Sequence, residues 1–439
     1  MTGGQQTPVS LTSDARWAET SAIRDLATRS QHAGTDAGPD AGHHEDGFAS
    51  KLQHISRWLP GYGWQRLVRR PASAAPLHLI FALADHFEPS ILPGTRGAHA
   101  ERVVQEQRLE RWYSEYPKAV RDWPDSDGRP FCHTYFYPAE QHDSRLIDGL
   151  VEHCREGWGE IEIHLHHGVE RPDTPENTRR QLIEFRDALA ARGCLSLMSG
   201  KGTPRYAFVH GNFTLANSGN GVACGVDNEM QILADTGCYA DLTLPSAPNA
   251  SQVAKINALY ECSLPMDRRA PHRRGRDLQC GHSPHTFPLI VQGPLMVNFK
   301  RRKRGWPFPG IENGALTGLC PPTLERLELW KAAAIAVKGR PSWVFIKLHC
   351  HGMDPHDESA MLGSAMQSFL RDLTQQRRAR GFQVHFVTAR EMVNIILAAC
   401  DGREGNPCDF RDYRLNLIGS MPSPSVGQPQ GRDAIGGGA

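Results

Sequence analysis

The chain predicts an α/β fold, a distorted (β/α) barrel of seven or eight parallel strands, and three observations carry that prediction. From Leu77 onward, short apolar runs alternate with amphipathic helical stretches, the rhythm of βα units laid on a parallel sheet. Four of those runs, LIFALADH, EIEIHLHH, YAFVHGN and WVFIKLHCH, end on histidine or aspartate or run straight into one. Toward both ends of the chain the rhythm is lost.

Residues 1–48 are rich in Gly, Thr, Ser, Asp and Ala, with almost no apolar periodicity. They cannot offset the entropy of ordering and are expected to form a disordered tail, as are residues 419–439. Residues 49–76 read as a helical lead-in. Leu52, Ile55, Trp58 and Leu59, then Trp64, Leu67 and Val68, fall at helical spacing on either side of Pro60-Gly61, which predicts two short helices covering one end of the barrel. Because Arg and Lys flank these aromatics, association of residues 49–70 with a membrane surface stays open.

The barrel is expected over 77–418. Its strands fall at 77–84, 133–137, 160–165, 206–210, 238–244, 289–298, 343–349 and 383–387. Helices are expected at about 99–116, 143–156, 175–193, 227–236, 323–337, 357–380 and 389–400; the one at 175 has Asp173 or Thr174 as cap and Pro175 in its first turn. The connection from about Ser246 to Thr286 lacks the rhythm and reads as an excursion over the site.

Basic residues number 49 and acidic ones 48, so no global field recruits nucleic acid or an anionic membrane. The basic loops DRRAPHRRGRD and NFKRRKRGW carry no interleaved aromatics beyond Trp306 and read as solvated faces, so no nucleic-acid partner is expected. The 11 cysteines are scattered and never spaced as CxxC, which favours reduced thiols over a disulfide framework. No early apolar segment follows basic residues and no run of eighteen apolar residues occurs, so a soluble, cytoplasmic protein without a transmembrane segment is expected. Gly-x-Ser-x-Gly, P-loop and dinucleotide glycine spacings are all missing.

Parallel α/β enzymes assemble their sites at the carboxyl ends of the strands. In EIEIHLHHG, His164 and His166 share a face with Glu160 and Glu162, and His167 points to the other face unless the strand has already ended. In LHLIFALADHFEP the apolar run breaks into Asp85, His86 and Glu88. A buried Asp85 needs a cation or hydrogen-bond donors, so it is either a metal ligand or a residue that caps a helix or ties a loop. In WVFIKLHCHGM, Lys347, His349 and His351 share a face. Lys347 could hold an anionic group of a substrate, and His349 could serve as a general acid. Imidazoles and a carboxylate converging at one mouth are what a divalent metal of the zinc class needs.

The order of ALADHFEP, EIEIHLHHG, YAFVHGNF, CGVDNEMQILADTGCYADLTLPSA and FIKLHCHG resembles the polysaccharide deacetylases, in particular a bacterial branch associated with exopolysaccharide loci, over roughly residues 77–400. The resemblance implies a barrel of the glycoside hydrolase and deacetylase type, and metal-dependent removal of an acetyl group from an N-acetylated sugar or exopolysaccharide precursor. It implies Asp85 as base or metal ligand, with Glu88 as base in the second case, and His86, His164 and His166 on the metal. It also implies His349 as the acid beside Leu348, and His167, His210, Asn212, Asp241, Lys347 and His351 on the carbohydrate. The family's paired Asp-Asp is here Ala84-Asp85 or Asp85-His86, its His-x-x-x-His is His-x-His-His, and its Arg-Pro-Pro loop is His210-Gly211-Asn212. Two other classes stay open. One is a glycoside hydrolase drawing a carboxylate pair from Glu140, Glu229 and Asp241; the other is a non-catalytic carbohydrate-binding protein on the same fold.

Overall fold

Each of the eight apolar runs forms a strand, and all eight run parallel to one another in one sheet. The strands are β1 (Leu77–His86), β2 (His133–Pro138), β3 (Gly159–Leu165), β4 (Lys201–His210), β5 (Cys238–Asp241), β6 (Leu289–Val291), β7 (Trp343–Cys350) and β8 (Phe382–Phe386). This computed structural model describes residues 48–69, 76–95, 98–300, 302–303, 306–307, 310–377 and 379–420. The tails expected at the two ends therefore lie almost wholly outside the described residues.

The strand order is β7-β1-β2-β3-β4-β5-β6. One edge of β1 pairs with β7 from His78 to Asp85. Its other edge is shared, with β8 against Leu77–Phe81 and β2 against Ala84–His86. The result is a mixed α/β protein with a curled sheet. Where a closed ring was one expectation, no ladder joins β6 to β7 among the described residues. The seam is crossed instead at Gly293, just past β6, where a Cβ would lie 2.3 Å from the carbonyl oxygen of Lys347. Only glycine lets the two backbones approach so closely.

Side chains alternate between two layers, as a period of two requires. Leu79, Phe81 and Leu83 of β1 join Ile161 and Ile163 of β3 and Phe208 of β4 in the core beneath the flanking helices. Ile80, Ala82 and Ala84, Ala207 and Val209, and Phe345 line the inner face. The alanines leave room there for polar groups. Glu162 accepts from Tyr239 and from the Ala207 amide, and Arg390 pairs with Glu160 at 2.7 Å.

Four expected elements differ. The lead-in is one helix, Phe48–Val68, with Pro60 inside it. An interior proline costs about 3 kcal/mol, and anchoring on both sides offsets it. Trp58 is buried and meets Tyr62 edge-on, Arg57 donates to Ala250 O, and Gln65 donates to Ile256 O. The connection after Ser246 is only in part an excursion, because Leu259–Cys262 and Gly275–Asp277 extend the sheet antiparallel beyond β6. The run at 289–298 breaks at Gly293-Pro294, and Met296–Asn298 pairs with Gly310–Glu312. The helix expected at 357–380 is two, Ser359–Leu362 and Ser364–Gln376, parted at Gly363. No helix among the described residues is long and apolar enough to cross a membrane.

His153 closes the helix Ser144–His153 under the sheet, 4% exposed. Trp112 Nε1 donates to the Tyr135 hydroxyl, which in turn donates to His153 Nε2 at 2.9 Å. Burial, with His133 nearby, pushes the imidazole down to about 3. Its folded pKa is depressed, so the stability it contributes is present above the unfolded value and lost as pH falls toward the folded one. Between pH 7 and pH 5 the wild type should lose about 2 kcal/mol more stability than His153→Gln. Urea unfolding of both at the two pH values checks this; equal losses would refute it.

Candidate metal centre

The two carboxyl-end positions of β1 on the inner layer are His86 and, beyond the strand, Glu88; both are buried. From β3 come His164 and, past its end, His166. From β7 come His349 and His351. The register that pairs Ala84 with His349 sets the β1 and β7 groups side by side. The His86 ring centroid lies 4.6 Å from that of His164, 4.6 Å from His351 and 6.4 Å from His349. His164 Nε2 is 3.1 Å and His166 Nε2 3.5 Å from one oxygen, Glu88 Oε1. Ligand atoms of Glu88, His164 and His166 lie within 4.8 Å of one another, as do those of His86, Glu88 and His351.

The far nitrogen of each β3 imidazole is fixed. His164 Nδ1 is 2.9 Å from the Val209 carbonyl, which only accepts, so Nδ1 carries a proton. His166 Nδ1 lies 2.7 Å from Glu140 Oε1, and Glu140 Oε2 takes the His166 amide. An acceptor behind each ring is the arrangement that orients metal-ligating histidines. Gly211 completes it, since a Cβ there would fall 2.3 Å from the His166 ring. Burial, then the neighbouring His351 and His164, holds His86 well below the ordinary imidazole range; burial, then Lys347, does the same for His349. Both rings are neutral at pH 7.

The structure does not bring Asp85 to these imidazoles. It lies on the helix-covered layer with Leu83 and Phe87, where Oδ1 accepts the Gly352 amide at 2.7 Å and Oδ2 sits 3.2 Å from His133 Nδ1. A Cβ at Gly352 would fall 2.4 Å from Asp85 Oδ2. The carboxylate thus ties β1 to β2 and to the turn after β7, as the loop-tying alternative has it.

His167 and His210 also turn to the helix-covered layer, where they meet Cys224 and Glu229. Asn212 follows Gly211 at the mouth, its Nδ2 buried and without a hydrogen-bond partner. Asp241 accepts from Thr243 Oγ1 at 2.7 Å, and burial raises it to about 7. Lys347 donates to Leu242 O at 2.7 Å, and burial lowers it to about 7. Of the carboxylates considered for a glycosidic pair, Glu140 is committed to His166, while Glu229 and Asp241 are fully buried. An open cleft lined by Gly168, Glu170, Arg171 and Asn177 reaches His166 and His167. Glu140 as the support of His166 and Phe213, whose ring is 5.9 Å from His86, were not expected in these places. No spacing rule links either to its partner.

Asp85→Ala should orphan the Gly352 amide and His133, lowering stability by about 2–4 kcal/mol while the metal content per chain stays unchanged. Chemical denaturation beside elemental analysis checks this; loss of metal would return Asp85 to the ligand set.

No protein-family model matches the chain, and no curated protein does. Among solved structures the chain is similar to one from Mycobacterium smegmatis described as a "putative polysaccharide deacetylase", at 13% identity and a TM-score of 0.38, over 77% of this chain and 97% of that one. At that level the likeness decides nothing about the site, which rests on its own geometry.

Proposed function

We propose that the protein is a metal-dependent hydrolase on a distorted (β/α) barrel of the glycoside hydrolase and deacetylase type, removing acetyl groups from N-acetylated sugar units or an exopolysaccharide precursor. One observation carries the metal dependence: two imidazoles with fixed outer nitrogens turn their Nε2 atoms on a single buried carboxylate oxygen, Glu88 Oε1. That donor set fits a divalent ion of the zinc class. His164, His166 and Glu88 would hold the ion, with His86 and His351 adjacent. When bound, it would polarise the acyl oxygen and lower the pKa of water.

The protein's own groups supply the proton transfers. His349 is neutral, and its buried Nδ1 has no hydrogen-bond partner, so it can accept the proton of an attacking water. As the water oxygen bonds to the acyl carbon and the carbon–nitrogen bond breaks, the same imidazole returns that proton to the leaving nitrogen. Acetate and a free amine result. Asn212 Nδ2, buried and without a hydrogen-bond partner, would donate to a sugar hydroxyl or the acetyl oxygen. The acetamide of an amino sugar as substrate class is supported by the order of the motifs along the chain.

The test is acetate release from N-acetylglucosamine oligosaccharides beside elemental analysis. Wild type should hold metal and release acetate, and His164→Ala and His166→Ala should each lose metal and at least about a hundredfold in rate. Full metal content in both variants would remove the proposal. New reducing ends without acetate would point to glycosidic cleavage, and bound metal without turnover to a carbohydrate-binding protein.

A further inference from the structure

On the helix-covered side of β3 and β4, away from the mouth, His167, His210, Cys224 and Glu229 form a second cluster. All four are buried, and each offers a ligand atom within 4.8 Å of the others. We infer that His167, Cys224 and Glu229 are the ligands of a second, thiolate-containing metal site for an ion of the zinc class, which pins the loop after β4.

Each donor is prepared for that role. His167 Nδ1 lies 3.1 Å from Asp173 Oδ2, and Asp173 is itself held by Thr178 Oγ1 and Asn177 Nδ2 at 2.8 Å. The carboxylate keeps the ring proton on Nδ1 and turns Nε2 toward Glu229 Oε1, 2.9 Å away. Cys224 Sγ accepts backbone N–H groups from Asn217 at 3.3 Å and Val226 at 3.5 Å and, as a thiol, donates to Glu229 Oε2 at 3.6 Å, a proton that a bound cation would displace. A soft sulfur with imidazole and carboxylate is a zinc-class donor set. In the ion-free protein His167 Nε2 and Glu229 Oε1 pair directly instead.

His210 gives an independent sign. The Asn212 amide donates to its Nδ1 at 3.1 Å, so its own proton sits on Nε2. That Nε2 is fully buried, has no hydrogen-bond partner, and lies 3.8 Å from Glu229 Oε1. A buried donor facing this cluster needs an acceptor that the side chains do not supply. A water oxygen on an ion held by the other three would be one. The loop carrying Cys224 is also strained, with left-handed φ at the non-glycine residues Phe213, Ala216, Asn217, Asn220 and Ala223. Such a loop persists only where something over-determines it, and Phe213 at its start lies against His86. The second ion would thus fix one wall of the mouth.

The experiment is cobalt(II) titration of metal-free protein. A sulfur-to-cobalt charge-transfer band should appear in the near ultraviolet. It should vanish in Cys224→Ser and persist in His166→Ala. It should also persist in Cys408→Ser, which removes the thiol beside Asp127 and His385. No band in wild type, or a band that survives Cys224→Ser, would overturn the inference. Should Cys224→Ser not fold, zinc-edge X-ray absorption of the Cys408→Ser protein decides. Sulfur in the coordination shell supports the site, and a shell of nitrogen and oxygen alone removes it. None of these readouts depends on acetate release, so the two proposals fail separately.

Discussion

The alternation of side chains along β1, β3 and β4 is the constraint on which both clusters depend. Each residue along a strand changes layer, so a one-residue difference in sequence becomes a different environment. His86 and Glu88 follow Ala82 and Ala84 to the inner face, and Asp85 between them follows Leu83 into the core under the helices. On β3, His164 goes inward with Glu160 and Glu162, and His166 joins it beyond the strand end. His167 and, on β4, His210 go outward. Five histidines close together in sequence or register are thereby sorted into two donor sets with different chemistry. One has imidazole and carboxylate only; the other adds a thiol.

Packing makes that sorting rigid. The inner layer is lined by small residues along β1 and β4, so there is space for imidazoles at the mouth without forcing the strands apart. The outer layer is filled by large side chains, and Asp85 is accommodated there because an amide and an imidazole are already aimed at it. At the seam, Gly293 lets the segment after β6 press against β7, which keeps Lys347 inside with its ammonium on Leu242 O. Lys347 is therefore spent partly on structure, and it helps keep the neighbouring His349 neutral.

Much of this was legible in the chain. Strands buried on both faces need uninterrupted apolar residues, so all eight stood out as runs, and the strand-end histidines followed from where each run stopped. The parity of EIEIHLHHG likewise gave His164 and His166 a common face and sent His167 away. Parity alone could not say which face is inner, and that is why Asp85 was grouped with the imidazoles although His86 and Glu88 hold the inner positions. Pro60 read as a break because local propensity is unfavourable there; contacts to residues some 190 positions further on, such as Arg57 to Ala250, outweigh it. Cys224 and Glu140 were illegible for a different reason. Each reaches its partner through a loop whose path is set by tertiary contacts, and no local pattern encodes it.

The charges at the mouth can be balanced by protons or, as proposed above, by an ion. Without metal, His164 and His166 could each donate to Glu88 from Nε2 as imidazolium. Their ring centroids are 4.6 Å apart, and His86 stands 4.6 Å from His164. Two unit charges at that separation repel by about 4 kcal/mol at an effective dielectric constant near 20, a cost set against the pull of two carboxylates, Glu88 between the rings and Glu140 behind His166. Neutral imidazoles avoid the repulsion but leave an Nε2 lone pair on each ring directed at an anionic oxygen. A divalent cation held by His164, His166 and Glu88 would meet both lone pairs and the carboxylate at once. It would also leave the buried His86 and His349 uncharged, the direction in which burial pushes both.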